Sequence, residues 1–189
     1  RLIGFLPPFH SFWFTINTIM PLLTGLQVVY TPDPNDAKTI LNIIKHTQVT
    51  TITATPTFLK MIMSLSSWDD LKNIRYAVVW AEKCSSEVFK KFKELCPKWV
   101  ILEWYGITEC SPVVSINPIK WSKPWTVWKI ISCLNSKIID MDTNKQAKIW
   151  EQWMIYVWWS SIFKWYLDAK LESPFEEIEW KNYYKTWDL

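Results

Sequence analysis

The stretch VILEWYGITE, Val100–Glu109, is the most informative part of the sequence. Its apolar start, Val100–Leu102, predicts a buried strand, and polar and aromatic residues follow where that strand ends. Open α/β sheets bind ligands at the carboxyl ends of their strands. There the ring of Tyr105 can stack on a base, the Thr108 hydroxyl can donate to a phosphate oxygen, and the Glu109 carboxylate can hold Mg²⁺. The pattern indicates a nucleotide site, and a strand end with a capped turn is the alternative.

Four further strand-like runs precede this stretch and recur about every 25 residues, with helical patterns between them. Alternation of short apolar strands with helices is typical of βαβ units, which build a parallel sheet. The first half of the chain therefore predicts an α/β fold with parallel sheet layers. The runs are Leu2–Leu6, Leu26–Tyr30, Val49–Ala54 and Arg75–Val79.

The predicted helices begin at residues whose side chains can accept a hydrogen bond from the first helical turn. Asn35 or Asp36 can cap the first helix, and Ser85 or Ser86 can cap the third. In the second, Thr55 supplies a capping hydroxyl before a first-turn proline. The predicted buried faces are Ala37, Ile40, Leu41 and Ile44, then Phe58, Leu59, Ile62 and Met63, then Val88, Phe89, Phe92 and Leu95.

The pattern changes after about residue 115, where polar stretches separate short β-like runs. This change favours a small antiparallel sheet or barrel joined to the α/β part. We expect residues 1–115 to form the α/β part of one large domain and residues 116–189 to form its β-rich, barrel-like subdomain, with Thr143-Asn144-Lys145 as a hairpin tip. The runs are Trp125–Ile131, Ser136–Asp140, Met154–Val157 and Tyr183–Thr186.

Charge and cysteine content narrow the classes of function. A net charge of +3, with lysines spread along the chain, argues against a nucleic-acid partner. The four cysteines lack C-x-x-C spacing, which argues against a zinc site and favours free thiols in a reducing cytoplasm. Residues 2–32 carry no charged side chain, but Pro7, Pro8 and Pro21 interrupt the apolar run. A buried strand–helix–strand unit is therefore favoured over a membrane span.

Several segments together resemble the AMP-forming adenylating enzymes, the superfamily of acyl-CoA synthetases and luciferases. Tyr105–Glu109 resembles the core motif of that family, and Leu6–Phe12 resembles a loop whose histidine faces the acyl carboxylate. The order and spacing of the segments agree with the family along the chain. Leu6–Met63 is most similar to bacterial long-chain acyl-CoA or acyl-carrier-protein synthetases. The other resembling segments are Thr53–Thr57, Met154–Val157, Trp165–Leu167 and Tyr184–Leu189.

The resemblance implies roles for individual residues. Tyr105 would stack on adenine, Thr108 would contact the α-phosphate, and Glu109 would bind Mg²⁺. Asp188 would hold the ribose hydroxyls. His10 would lie near the acyl carboxylate, and a polar residue at a strand end is the alternative. The implied catalytic set is His10, Thr108 and Glu109, and the implied nucleotide-binding set is Trp80, Ala81, Glu82, Glu103, Trp104, Tyr105, Gly106, Thr108 and Asp188.

The family's reaction defines the expected function. The resemblance implies that a long-chain fatty acid is joined to AMP with ATP and Mg²⁺, and is then transferred to the thiol of CoA or of the phosphopantetheine on acyl carrier protein. An amino- or aryl-acid ligase and a catalytically inactive binding module are the alternatives. A cytoplasmic location is expected, with peripheral membrane contact left open. The family's phosphate loop is expected upstream of Arg1 and its C-terminal lid domain downstream of Leu189, so this chain alone is not expected to complete the reaction.

Tryptophan and glycine occur in unusual proportions, with 15 Trp and 3 Gly, where typical usage would give roughly 13 Gly. The family has glycine at many positions where this chain has tryptophan. Pro124-Trp125 resembles the centre of a type II turn and Glu179-Trp180-Lys181 resembles a hairpin turn, and both favour glycine. We expect an A+T-rich gene in which the codon UGA encodes glycine but has been read as tryptophan. The positions include Trp13, Trp80, Trp104, Trp125, Trp128, Trp150, Trp153, Trp165 and Trp187.

Overall fold

The first half of the chain builds a large sheet. The computed structural model describes residues 1–127, 129–141, 143, 145–148, 153–168 and 170–188. The strands of this sheet are β1 (Leu2–Gly4), β2 (Val28–Tyr30), β3 (Thr51–Ala54), β4 (Tyr76–Val79), β5 (Val100–Gly106), β6 (Val113–Ile116) and β7 (Lys129–Ile130). Their order across the sheet is β2-β1-β3-β4-β5-β6-β7. Strands β1 to β5 pair in parallel, whereas β6 and β7 join antiparallel. The predicted α/β class is confirmed.

Helices connect the parallel strands, as βαβ units require. They are α1 (Ser11–Phe14), α2 (Met20–Thr24), α3 (Ala37–Thr47), α4 (Pro56–Leu65), α5 (Trp68–Leu71) and α6 (Ser86–Leu95). A π-helical segment, Thr15–Ile19, joins α1 to α2. Such wide turns insert an extra residue into a helix and are frequent near functional sites.

The structure shows which of the alternative residues caps each helix. Asp36 caps α3, because the backbone N–H of Thr39 donates to its carboxylate at 3.0 Å. Ser85, rather than Ser86, caps α6 and accepts from a first-turn N–H at 3.4 Å. Thr55 caps α4 in the same way, also at 3.4 Å.

The largest hydrophobic core lies between the parallel strands and helices α3, α4 and α6. Ile40 and Ile44 of α3, Ile62 of α4 and Phe92 of α6 are buried in it, as the helical spacing predicts. Full burial of one such side chain contributes about 1.5–3 kcal/mol. This packing fixes the ends of β4 and β5, from which the candidate site is built.

The second half forms a four-stranded antiparallel sheet among the described residues. Its strands are β8 (Asn135–Asp140), β9 (Trp153–Trp158), β10 (Phe175–Ile178) and β11 (Lys181–Lys185), in the order β10-β11-β9-β8. The boundary expected after residue 115 falls within β6, and the division into two parts of one domain stays a prediction.

The two expected turns are present and hold unusual backbone angles. Glu179 and Trp180 join β10 to β11 with φ of 51° and 67°, the positive pair that a type I′ hairpin turn requires. Trp125 follows Pro124 with φ of 62°, as the third position of a type II turn requires. The expected hairpin tip includes Asn144, which lies outside the described residues, as do Trp128 and Trp150.

Candidate functional site

The site begins where the parallel part of the sheet ends. Strand β5 pairs in parallel with β4 and antiparallel with β6, and the pairing with β6 shifts register between Tyr105 and Gly106. A Cβ atom on Gly106 would lie only 2.0 Å from the carbonyl oxygen of Pro112, so only glycine fits there. This close crossing turns the chain out of the sheet and presents residues 107–109 at its carboxyl edge.

A cavity of about 300 Å³ lies at this edge. It brings together the loop before α1, the end of β4 and the segment after β5, which are far apart in sequence. Seven predicted site residues line it: His10, Trp80, Trp104, Tyr105, Gly106, Thr108 and Glu109.

A hydroxyl pair links the first residue of α1 to the segment after β5. The Oγ of Ser11 and the Oγ1 of Thr108 lie 3.0 Å apart. Next to them, Nδ1 of His10 accepts from the backbone N–H of Phe12 at 3.3 Å and caps α1. The histidine thus lies at the cavity with its Nδ1 facing the helix, and its expected place near an acyl carboxylate stays a prediction. Ser11 has no predicted role, although it lies inside the segment that carries the family resemblance.

The carboxylate of Glu109 accepts a hydrogen bond from a tyrosine in the second half of the chain. The hydroxyl of Tyr166 donates to Glu109 Oε1 at 3.0 Å and lies 3.3 Å from the hydroxyl of Tyr184. Burial raises the pKa of both phenols, so each stays protonated and able to donate. Tyr166 lies in the segment Trp165–Leu167, which carries the family resemblance, but the sequence assigns it no role because its partner is 57 residues away.

A second cavity of about 560 Å³ adjoins the first and is lined by the remaining predicted nucleotide-binding residues, namely Ala81, Glu82, Glu103 and Asp188. Trp104, Tyr105 and Gly106 line both cavities. The hydroxyl of Tyr105 donates to the carboxylate of Asp188. Burial and this hydrogen bond to an anion raise the pKa of Tyr105. The side chains of Trp104 and Tyr105 therefore border both cavities.

Glu103 anchors the wall of the second cavity. Its side chain is only 8% exposed and accepts a hydrogen bond of 2.7 Å from the backbone N–H of Trp125. Burial raises the pKa of Glu103, and this backbone donor partly offsets the effect. Glu82 is held differently, because it is exposed and accepts from the hydroxyl of Thr57 at 2.6 Å.

The donor set at the first cavity suits Mg²⁺ bound together with phosphate. The described residues contain no group of three or more His, Cys, Asp or Glu side chains that could hold a metal. Mg²⁺, however, is usually bound by one or two carboxylates with substrate phosphates completing the shell. Glu109 is a half-buried carboxylate at the cavity wall, oriented by a phenol, and it fits that role.

Two cavities that meet at the end of a parallel sheet, with hydroxyls and a carboxylate facing them, are typical of a nucleotide-binding α/β enzyme. The chain belongs to the AMP-binding enzyme family, whose model matches residues 1–167. It is 27% identical over 157 residues to a long-chain-fatty-acid–CoA ligase of Haemophilus influenzae, which covers 80% of this chain and 27% of that protein.

Solved structures share the fold at low identity. A long-chain-fatty-acid–CoA ligase from Archaeoglobus fulgidus matches with a TM-score of 0.86 at 20% identity, over 98% of this chain and 40% of that one. O-succinylbenzoate coenzyme A synthetase from Bacillus subtilis, in complex with ATP and magnesium ion, matches with a TM-score of 0.80 at 18% identity, over 98% and 38%. The chain thus spans less than half the length of these proteins.

The part of the chain that the structure describes contains no candidate for a membrane-spanning helix. None of the described helices combines enough length with enough apolar character to cross a membrane.

Proposed function

We propose that this chain is the central part of an enzyme that activates a long-chain fatty acid with ATP and passes the acyl group to a thiol. One observation carries the proposal: Ser11, Thr108 and Glu109 meet at one cavity, and Tyr105 joins it to a second cavity that holds Asp188. The first space suits a carboxylate and phosphates, and the second suits adenine and ribose.

The first step forms a mixed anhydride. An oxygen of the fatty-acid carboxylate attacks the α-phosphorus of ATP, and the bond from that phosphorus to the bridging oxygen breaks, so pyrophosphate leaves. The Thr108 hydroxyl would donate to the α-phosphate as negative charge gathers on it. When bound at Glu109, Mg²⁺ supplies further charge neutralisation at the phosphates. The similarity in fold between this chain and a protein solved with ATP and magnesium ion supports ATP and Mg²⁺ as ligands.

The second step moves the acyl group to sulfur. The thiol of CoA, or of the phosphopantetheine on acyl carrier protein, attacks the acyl carbonyl, its proton is lost to a base, and AMP leaves. Until then, burial of the acyl-AMP protects it from water. The phosphate loop and the lid domain are proposed to come from other parts of the full-length protein, whose relatives are more than twice as long as this chain.

A fatty acid is favoured as the substrate for two reasons. Relatives named long-chain-fatty-acid–CoA ligases match this chain. In addition, the cavity wall is rich in apolar groups such as Phe12, Pro112 and Val113, and among the described residues its only carboxylate is Glu109. A substrate amine would therefore compete with Mg²⁺ for one acidic group.

An aryl acid is the second candidate, because the stacked rings around the cavity can also hold a ring. The similarity of fold to O-succinylbenzoate coenzyme A synthetase supports an aryl acid. Measuring pyrophosphate release with acids of both kinds distinguishes the two substrates.

Acid-dependent release of pyrophosphate from ATP tests the proposal in the full-length gene product. Acetate, dodecanoate, benzoate and phenylalanine are compared, with Thr108→Ala and Glu109→Gln as site variants and Ser64→Ala on the exposed face of α4 as the control. Release that rises with dodecanoate and falls in both site variants supports the proposal. Release that no acid stimulates would overturn it, and a preference for benzoate would assign the aryl-acid function.

A further inference from the structure

Ser11 and Thr108 meet at the first cavity although 97 residues separate them in the chain. Their hydroxyl oxygens lie 3.0 Å apart, which is hydrogen-bonding distance, and either can donate. Ser11 follows β1 and Thr108 follows β5, and strands β3 and β4 lie between them in the sheet. Since neighbouring strands are about 4.8 Å apart, the contact spans a gap of roughly 14 Å between strand ends. The hydroxyl pair therefore bridges the edge of the sheet at which the cavity opens.

Buried neighbours fix the position of Ser11. It is the first residue of α1, and Nδ1 of His10 caps that helix by accepting from the backbone N–H of Phe12. Phe12 and Ile16, one helical turn apart, are only 4% and 6% exposed and pack in the same hydrophobic cluster. Ser11 therefore presents its hydroxyl to the cavity from a rigid frame.

The side chain of Thr108 is held less firmly than its backbone. The backbone begins a short 3₁₀ turn, Thr108–Cys110, and its carbonyl oxygen accepts from the N–H of Ser111 at 3.1 Å. The side chain is exposed, and within the described residues its hydroxyl has no hydrogen-bond partner other than Ser11. An exposed threonine can occupy more than one staggered rotamer. The contact with Ser11 therefore stabilises the rotamer that the structure shows.

The number of protons on the two hydroxyls fixes the direction of the contact when a nucleotide is bound. A hydroxyl has one proton to donate and two lone pairs that accept. In the proposed reaction the Thr108 proton goes to an oxygen of the α-phosphate, so Thr108 can pair with Ser11 only as the acceptor. Ser11 then donates to Thr108, and two hydrogen bonds in series strengthen each other. In the opposite direction, Thr108 would have no proton left for the phosphate.

We propose that Ser11 is a positioning residue that acts through Thr108. Its hydroxyl donates to Thr108 Oγ1 and so directs the Thr108 proton towards the α-phosphate. The inference rests on the proposed function, and it assigns Ser11 no contact with the acid, the nucleotide or the metal ion. The effect of Ser11 on the rate should therefore depend on the presence of the Thr108 hydroxyl.

A double-mutant cycle in the full-length gene product tests this dependence. Ser11→Ala, Thr108→Val and the double variant are compared with the parent by dodecanoate-dependent release of pyrophosphate, because valine keeps the branched shape of threonine without its hydroxyl. We expect Ser11→Ala to lower kcat by about 5-fold, the effect of one ordinary hydrogen bond, with a smaller change in the KM for ATP. In the Thr108→Val background, Ser11→Ala should have no further effect.

Two further variants separate positioning from folding. Ser11→Thr keeps the hydroxyl and should retain most of the parent's kcat. Ser86→Ala is the matched control, because Ser86 is also the first residue of a helix, α6, and lines neither cavity. It should leave kcat unchanged. All rates are expressed per amount of folded protein, measured by circular dichroism, so a loss of stability does not imitate a loss of positioning.

An equal loss of kcat from Ser11→Ala with and without the Thr108 hydroxyl would overturn the inference, because Ser11 would then act by packing or by its own contact with a substrate. An unchanged kcat in Ser11→Ala would also overturn it. In both cases acid-dependent release persists in the parent, and the proposed function stands. Absence of release with every acid in the parent itself would instead reject the proposed function, and this inference with it.

Discussion

Three tryptophans hold a backbone conformation that L-residues seldom adopt. Trp125, Trp180 and Trp187 have φ of 62°, 67° and 62°. This left-handed conformation costs a residue with a Cβ atom roughly 1–2 kcal/mol, whereas glycine adopts it without that cost. Trp125 and Trp180 lie in the turns where the sequence alone favours glycine. These angles support the proposal that UGA codons in this gene encode glycine, which peptide masses of the natural protein would test.

Trp180 offers the clearest stability test of that proposal. Its side chain is 93% exposed, so Trp180→Gly removes backbone strain while losing little burial. We expect this variant to raise the free energy of unfolding by about 1 kcal/mol, measured by urea denaturation. Trp68→Gly is the control, and it should lower stability because it removes a half-buried indole at a position without a positive φ. Equal effects of the two variants would contradict the strain argument.

The buried carboxylate of Glu103 predicts a pH dependence. Its folded-state pKa is raised by burial, so between the ordinary value of 4.5 and the raised value the folded state binds more protons than the unfolded state. Stability conferred by the neutral form is therefore lost as pH rises through that window. Glu103→Gln keeps an acceptor for the N–H of Trp125 and removes the buried charge.

We expect the melting temperature of Glu103→Gln, relative to that of the parent, to rise as pH increases from about 4 to about 8. Thermal unfolding followed by circular dichroism measures the difference. Glu94→Gln, which removes an exposed carboxylate on α6, supplies the baseline. A difference for Glu103→Gln that falls with rising pH would contradict the burial argument.

At the scale of elements, periodicity predicted the parallel part well and the rest incompletely. Strands β1 to β4 lie within the expected runs, because a strand buried on both faces has a continuous apolar signature. Strand β5 was expected to end at Leu102 but continues to Gly106, where its polar and aromatic residues hide the strand from an apolar pattern. Strand β10 was not predicted. Its residues, Phe175–Ile178, include Glu176 and Glu177, whose acidic side chains hide the apolar alternation. The π-helical segment was also not predicted, since its apolar content resembles that of an ordinary helix.

The cap of α6 gives a test at this scale with a neighbouring control. Ser85→Ala should lower the free energy of unfolding by about 1 kcal/mol, because the N–H of Val88 loses its acceptor. Ser86→Ala, one residue later, places a strong helix former in the first turn and should be neutral or slightly stabilising. Urea denaturation of both variants measures the contrast, and equal losses would place the cap elsewhere.

At the scale of the whole molecule, the site joins the two sheets. Tyr105 and Glu109 extend from the first sheet, while Asp188 and Tyr166 come from the second half. The family resemblance grouped Tyr105, Thr108 and Glu109, and the structure places them at one cavity with His10; the roles of these residues stay predictions. The role of Tyr166 could not be predicted, because a tyrosine's partner depends on packing over a long sequence distance.

Removal of the Tyr166 hydroxyl should weaken metal binding without unfolding the protein. Tyr166→Phe leaves the ring in place but withdraws the donor that orients Glu109. We expect the Mg²⁺ concentration for half-maximal pyrophosphate release to rise by about 10-fold or more, as for other groups that orient metal ligands. Tyr183→Phe, a buried tyrosine of β11 in a different cluster, is the control. A lower maximal rate at unchanged Mg²⁺ dependence would contradict this role.

The reactivity of the four cysteines can report local opening in the two halves of the chain. Cys84 and Cys96 lie in the core beside the parallel strands, Cys110 lies behind Glu109, and only Cys133 is exposed. Burial raises the pKa of each of the three inner thiols to about 12, so the reactive thiolate is scarce there. A thiol reagent should modify Cys133 at once and the others only when their surroundings open. The labelling rate at Cys110 then measures how often the edge of the sheet at the candidate site opens, and a bound nucleotide should slow it while leaving Cys133 unaffected.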